Sequence, residues 1–237
     1  MNGFCLGTVE SRRKGGLVSQ QKRRENPEFY RTLGCNVGNM FSFPEVSVEL
    51  SEFVGIMLGD GGVTKYQLAI TLNSEKDRRY ADYVVVLVRK LFGVVASEYQ
   101  KKKQKALVLS VSGVGLINFL IGKGLVAGNK VRCQIDVPEW IKGDREFSKW
   151  CVRGMIDTDG CVFLRRDGLG RDKYNYLNMY FSNKSRPLRK FVLMTLRSHG
   201  LHPKEYGCQV RLYSEAETRK YLELFGSSNR RIFGTIL

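Results

Sequence analysis

The sequence predicts an α+β fold of two pseudo-symmetric αββαββα halves, and three observations carry that expectation. An apolar helical run closed by an acid and a glycine occurs twice, as FVGIMLGDGG at 53–62 and VRGMIDTDG at 152–160. The two closing acids are 159 − 60 = 99 residues apart, the size of one small domain. After each run the apolar periodicities follow the same order of hairpin, helix, hairpin and helix.

Aligned on the acid, Gly55 matches Gly154, Met57 matches Ile156, Gly59 matches Thr158, Asp60 matches Asp159 and Gly61 matches Gly160. Small residues four apart lie on one helix face, so the two motif helices can approach backbone to backbone. If they pack, their C-terminal ends bring Asp60 and Asp159 to one place. Asp-Gly is also a common turn dipeptide. Yet a carboxylate at a helix C-terminus opposes the local dipole, and here it does so twice, which points to a bound cation.

The remaining elements follow in order. Ser47, Glu49 and Ser51 lead into the first motif helix, over about residues 48–59. Residues 66–73 alternate, with Leu68, Ile70 and Leu72 on one side. Ser74 is placed to cap a helix over about 75–92 with a stripe from Tyr80 to Leu91, ended by Gly93. A second hairpin, 96–102 with 106–112, turns through KKKQK, and a short helix covers 114–121.

In the second half a hairpin joins 162–166 to 174–182, and a helix with Pro187 in its first turn covers 186–198. A strand over 208–213 and a helix over about 214–224 complete it. The organisation read is a basic N-terminal extension over 1–45, a first half over 46–123, an ordered linker over 124–146 and a second half over 147–237.

In the extension, SRRKGG and QKRREN show no sustained periodicity, and PEFYRTLG is a short helix stopped by Gly34. Two readings stand for it: a basic arm along DNA phosphates, or a disordered or processing remnant.

A net charge of +16 on 237 residues, with 43% hydrophobic content, describes a folded protein with a strongly basic surface, and nucleic acid is the leading partner. The six cysteines, Cys5, Cys35, Cys133, Cys151, Cys161 and Cys208, form no C-x-x-C pair, and the two histidines, His199 and His202, stand together away from them. Zinc and His-metal chemistries are therefore not indicated, and no phosphate-binding G-x-x-x-x-G-K run occurs. With no apolar run of about 18 residues and no leader pattern, an intracellular location is expected, in cytoplasm, nucleoid or organelle, with no membrane contact.

FVGIMLGDG and VRGMIDTDG resemble the two motifs of single-chain LAGLIDADG homing endonucleases. The first copy departs by having Leu58 where the second has Asp157. The resemblance implies that the antiparallel sheets form a DNA-binding saddle, that the halves pack through the two LAGLIDADG helices, and that the protein acts as a monomer. It implies metal-dependent double-strand breaks at a long, pseudo-palindromic site, with short 3′ overhangs. The implied cofactor is Mg²⁺ or Mn²⁺, with Ca²⁺ supporting binding without cleavage. Asp60 and Asp159 would be the carboxylate ligands, and the carbonyls of Gly59 and Thr158 further ligands.

AGNKV at 127–131 echoes SSNRR at 227–231. By resemblance Lys130 and Arg230 lie near the scissile phosphate, either in catalysis or in plain phosphate contact. The alternative function is a non-cleaving nucleic-acid binder on the same fold, such as an intron RNA maturase or a repressor.

The non-core positions of the strands supply the candidate DNA contacts: Gln67, Thr71, Asn73 and Ser110 in the first half, and Tyr176, Asn178, Tyr180, Ser182, Gln209, Arg211 and Tyr213 in the second. Amides, hydroxyls and guanidinium groups on a β-ribbon can read base edges. Lys65, Lys101, Lys103, Lys105, Arg165, Arg171 and Lys173, at strand ends and loops, would neutralise phosphates.

Overall fold

The computed structural model describes residues 8–35, 37–101, 104–128, 130, 132–167 and 174–233, with backbone alone at 165–167, 174–176 and 233. The chain divides into two compact units, Met1–Met40 and Phe41–Leu237.

The first unit holds α1 (Val9–Glu25) and α2 (Pro27–Thr32). Thr8 caps α1 by accepting from the Ser11 amide at 3.2 Å, and Asn26 caps α2 by accepting from the Phe29 amide at 3.4 Å. Helix α2 is the one expected from PEFYRTLG. The longer α1 was not foreseen, because its composition carries no apolar stripe and no residue of it is buried.

The second unit is built as two repeats. In the first, α3 (Val48–Gly59) leads to β1 (Gly61–Val63) and β2 (Gln67–Asn73), then α4 (Arg78–Phe92), β3 (Ser97–Gln100), β4 (Ala106–Ser112) and α5 (Val114–Gly122). After α6 (Glu139–Lys142), the second repeat runs through α7 (Arg145–Asp159), β5 (Gly160–Asp167), β6 (Tyr174–Ser182), α8 (Arg186–Ser198), β7 (Lys204–Tyr206), β8 (Gln209–Leu212) and α9 (Glu215–Leu224). A last turn of helix, α10, spans Arg230–Phe233.

Each repeat folds into a four-stranded antiparallel sheet, ordered β1-β2-β4-β3 and β5-β6-β8-β7. The matching order is the pseudo-symmetry that the repeated motif implied. Register follows the alternation: Leu68 pairs with Val111, Ile70 with Leu109 and Leu72 with Leu107, and all six are buried on the helix-covered face. Leu177, Met179, Phe181, Val210 and Leu212 do the same in the second sheet.

Two local details differ from expectation. Helix α4 starts at Arg78, not after Ser74, because the Asn73 side-chain carbonyl accepts from the amides of Glu75 (3.0 Å) and Lys76 (2.9 Å) and forms a turn first. Residues 41–43, read as part of the extension, belong to the second unit: the Ser42 amide donates to the Phe92 carbonyl at 3.1 Å, and Phe43 stacks on Phe119. Trp140 donates its indole N–H to the Lys123 carbonyl at 2.9 Å and packs edge-on against Phe147.

Helices α3 and α7 form the seam between the repeats. Helix α3 is apolar nearly all round, and Phe53, Val54, Ile56, Met57 and Leu58 are buried, as expected for a helix with neighbours on every side. Along the seam the backbones are too close for side chains at the paired glycines. A Cβ on Gly55 would fall on the Cys151 carbonyl oxygen, and one on Gly154 on the Glu52 carbonyl oxygen.

Candidate metal centre and nucleic-acid interface

The glycine seam runs on to the helix ends. A Cβ on Gly59 would lie 3.6 Å from the Asp159 carboxyl carbon and would overlap the Thr158 hydroxyl. Thr158 fits there because its hydroxyl turns back along its own helix, 3.0 Å from the carbonyls of both Gly154 and Met155. Asp60 caps α3 and Asp159 is the last residue of α7, so two carboxylates and the carbonyl ends of two helices meet at one end of the seam.

Electrostatics there favour a cation. Burial, and then the charge of Asp159, pushes the Asp60 carboxyl up to about 7. Burial raises Asp159 as well, against the Asn183 side-chain amide, which donates to its Oδ2 at 2.8 Å, and against the charges of Lys130 and Arg231. The lysine ammonium donates to the α3 carbonyls of Met57 (3.0 Å), Leu58 (3.1 Å) and Gly59 (2.5 Å). Burial lowers its pKa, while the two aspartates oppose that shift. Gly128, at φ 103°, turns the chain two residues before Lys130 and so sets its approach.

On the α7 side Arg231, not Arg230, reaches the helix end. Its guanidinium lies 3.3 Å from the Thr158 carbonyl and 3.3 Å from Asp77 Oδ1, while Arg230 is exposed. The reason is Asn229, which is buried and fixes the phase of the segment. Its amide nitrogen donates to Asp77 Oδ1 (3.0 Å) and to the Asp157 carbonyl (2.9 Å), and its side-chain oxygen receives the Arg231 amide at 3.0 Å.

The donor set is hard oxygen: two carboxylates and the Gly59 and Thr158 carbonyls. Such a set suits Mg²⁺ or Ca²⁺, and Mg²⁺ commonly takes one or two protein carboxylates and completes its shell with water and substrate phosphate. No cluster of three or more His, Cys, Asp or Glu occurs among the described residues, so the fit is to a cation whose shell the substrate completes. A cleft beside the pair is lined by Gly59, Lys130, Asp159, Ser182, Asn183 and Ser185.

Sequence reasoning missed a polar clamp behind this site. Asp157, wholly buried, accepts from the Ser227 hydroxyl and from the Ser228 amide at 2.7 Å. Glu52, also wholly buried, accepts from the Tyr83 hydroxyl (2.8 Å) and the Ser228 hydroxyl (3.1 Å), with Arg153 at 3.5 Å. The C-terminal segment thereby joins the motif helix of each repeat. Its one sequence signal was the SSNRR echo.

Burial pushes the Asp157 carboxyl up to about 7, against roughly 4 in an unfolded chain. A folded-state pKa raised in this way means that the stability is full at low pH and is lost as pH climbs from about 4 through 7. The urea midpoint of the wild type is therefore expected to fall between pH 5 and 7.5, and Asp157→Asn to flatten that fall.

The open sheet faces hold most of the remaining candidates. Lys65 is exposed over the Tyr66 ring at 5.4 Å, and Thr71 and Lys101 are exposed. Gln67, Tyr180, Ser182, Gln209 and Arg211 are half-buried, and Tyr213 is exposed. Arg211 is held by Gln209, whose side-chain oxygen accepts from its Nε at 2.7 Å, and lies near the rings of Tyr206 and Tyr213.

Others are less available. Ser110 and Asn178 are 8% and 5% exposed, shut in on central strands by their neighbours, so neither offers its side chain to a ligand on that face. Asn73 spends its side-chain oxygen on the turn before α4, and Lys105 is paired with Glu75 at 2.9 Å. Arg165 and Tyr176 lie on β5 and β6, where the backbone alone is described. Lys103, Arg171 and Lys173 lie outside the described residues.

Comparison with known proteins agrees with this architecture. Residues 146–236 match the family model of a LAGLIDADG-like domain. The LAGLIDADG homing endonuclease I-LtrWI bound to target DNA is similar in structure at 13% identity, with 78% of this chain and 86% of that chain covered and a TM-score of 0.55. The LAGLIDADG meganuclease I-AabMI bound to uncleaved DNA gives 10% identity, 81% and 88% coverage, and a TM-score of 0.53. I-SmaMI bound to an uncleaved DNA target in the presence of calcium ions gives 9%, 77% and 86%, and 0.52. At these identities the likeness is one of fold. The second half of the chain thus resembles a LAGLIDADG-like domain, and the first half repeats its strand order across the glycine seam.

Proposed function

We propose that the protein is a site-specific DNA endonuclease that cuts both strands of a long, pseudo-palindromic duplex in a reaction requiring Mg²⁺ or Mn²⁺. The observation that supports this reading best is the meeting of two buried carboxylates, Asp60 and Asp159, with the carbonyl ends of both motif helices. When bound there, a divalent cation would supply Lewis-acid stabilisation of the phosphate and a more acidic water.

The protein's own groups have distinct tasks in this reading. Asp60, Asp159 and the Gly59 and Thr158 carbonyls hold the cation. Lys130 and Arg231 face charge that develops on the phosphate. Asn183 fixes the orientation of the Asp159 carboxylate through its 2.8 Å hydrogen bond. The two sheets present the half-sites, with Arg211, Gln209, Tyr180 and Tyr213 on one and Gln67, Thr71 and Lys65 on the other. Basic side chains on phosphates make binding strongly salt-dependent.

The DNA complexes of I-LtrWI, I-AabMI and I-SmaMI support duplex DNA as the partner, and the calcium in the I-SmaMI complex supports a divalent-ion site in this fold. The proposed active form is a monomer, since both acids come from one chain, and its setting is intracellular. The direct test is incubation with a randomised-site duplex library in Mg²⁺, followed by sequencing of new ends. We expect paired ends with short 3′ overhangs at one family of sites; a library left intact in Mg²⁺ and in Mn²⁺ would refute the proposal.

A further inference from the structure

The N-terminal helix α1 carries charge in an ordered arrangement. Its sequence holds two basic triplets, Arg12-Arg13-Lys14 and Lys22-Arg23-Arg24, on either side of Gly15-Gly16-Leu17-Val18-Ser19-Gln20-Gln21. Arg12 and Arg23 are eleven residues apart, and so are Arg13 and Arg24. Eleven residues is close to three turns at about 3.6 residues per turn, so each pair lines up along the helix with a rise of roughly 16 Å.

Two arginine rows result, about 100° apart around the axis, with Gly16 and Gln20 between them. Glu25 falls on the opposite side, together with Lys14 and Lys22, while Glu10 flanks the Arg13 and Arg24 row. Arg12, Arg13 and Arg24 are exposed and Arg23 is half-buried.

The glycines add a second, independent observation. Two adjacent glycines in mid-helix weaken it relative to alanine, and a Cβ on Gly15 or Gly16 would meet nothing within 4 Å. Packing among the described residues therefore does not explain their smallness. Between the two rows, Gly16 leaves bare backbone free to lie close against a partner.

We propose that α1 docks in a groove of duplex DNA, with Arg12 on the phosphates of one wall, Arg13 and Arg24 on those of the other, and Gly16 and Gln20 toward the floor. The inference rests on the DNA-binding reading above and adds a second contact outside the strands. Arginine suits it, because its planar fork matches phosphate oxygens in pairs. The major groove is wide enough to admit a helix. A membrane surface fits less well: α1 has no aromatic residue, and Leu17 and Val18 make too small an apolar face.

The test compares two full-length double variants that lose the same charge, Arg13→Gln with Arg24→Gln and Lys14→Gln with Lys22→Gln. Each is titrated with a random-sequence duplex of about 60 base pairs over a range of salt, without divalent ions. The arginine pair is expected to lower the salt slope, d log K/d log[salt], by close to 2, at about 0.9 per lost phosphate contact. The lysine pair is expected to change it by less than half as much.

Equal slopes for the two variants, or no change in either, would overturn the assignment of the arginine face. Loss of binding to anionic phospholipid vesicles with the arginine pair, while duplex binding is unchanged, would overturn it in favour of a membrane. Failure of cleavage leaves this readout untouched, so the arm and the endonuclease reading can fail separately.

Discussion

Gly154→Ala is expected to destabilise the fold by on the order of 3 kcal/mol, and Gly55→Ala by a similar amount. The change adds one methyl group and would raise intrinsic helix propensity by about 1 kcal/mol, so the loss must come from the seam. At Gly154 the new Cβ would lie on the Glu52 carbonyl oxygen and 3.0 Å from the Ile56 nitrogen. At Gly55 it would lie on the Cys151 carbonyl oxygen. These are backbone atoms of packed helices, and they yield only if α3 and α7 move apart.

Separation would open gaps along Phe53, Ile56, Val152 and Ile156, all wholly buried, and would draw Asp60 away from Asp159. Gly59→Ala should cost less, because it meets mainly the Thr158 side chain, and Thr158→Ala should restore part of the loss. Urea unfolding of the single and double variants, with unchanged m-values, measures these differences.

Asp60→Asn and Asp159→Asn are each expected to reduce single-turnover double-strand cleavage by about 10³-fold or more, the several kcal/mol that a bound cation supplies. In the proposed reading DNA binding should stay within about tenfold, since most of the basic and polar side chains assigned to the duplex lie on the sheets, away from the two acids. An amide cannot replace a carboxylate as an anionic ligand, and either loss leaves the shared site with half its charge.

The same site sets a pH dependence. Below about 7 the raised Asp60 carboxyl carries a proton that a cation must displace. Cleavage at a fixed, subsaturating Mg²⁺ concentration should therefore climb as pH rises toward 7 and level off above it. Higher Mg²⁺ should move the rise to lower pH. The effect on stability has the opposite sign: without divalent ions, ionising buried Asp60 and Asp159 weakens the fold as pH rises, and added Mg²⁺ should restore it.

Much of this architecture was legible because periodicity reports burial. Leu68, Ile70 and Leu72 alternate, so β2 and its inward face could be read directly, and the small-residue spacing at Gly55/Gly59 and Gly154/Thr158 marked the seam. What stayed hidden depends on contacts distant in sequence. Ser228 meets Glu52 and Asn229 meets Asp77, partners 176 and 152 residues away, and no local pattern announces such a clamp.

The choice of Arg231 over Arg230 turns on the phase of one buried residue, Asn229, which the aligned echo could not convey. Alternation likewise placed Ser110 and Asn178 on the outer face without showing how crowded that face is at its centre. Helix α1 escaped notice because its order is in charge and not in hydrophobicity.

The most direct measurement of the central claim is a two-step assay on one complex. The full-length protein is bound in Ca²⁺ to duplexes selected from a randomised library, the complex is isolated, and Ca²⁺ is exchanged for Mg²⁺. The account expects an intact duplex in Ca²⁺ and rapid cutting of both strands in Mg²⁺, lost in Asp60→Asn and in Asp159→Asn. Tight capture followed by no cutting in Mg²⁺ or Mn²⁺ would make the protein a non-cleaving binder, and full cutting by either variant would contradict a site shared by the two acids.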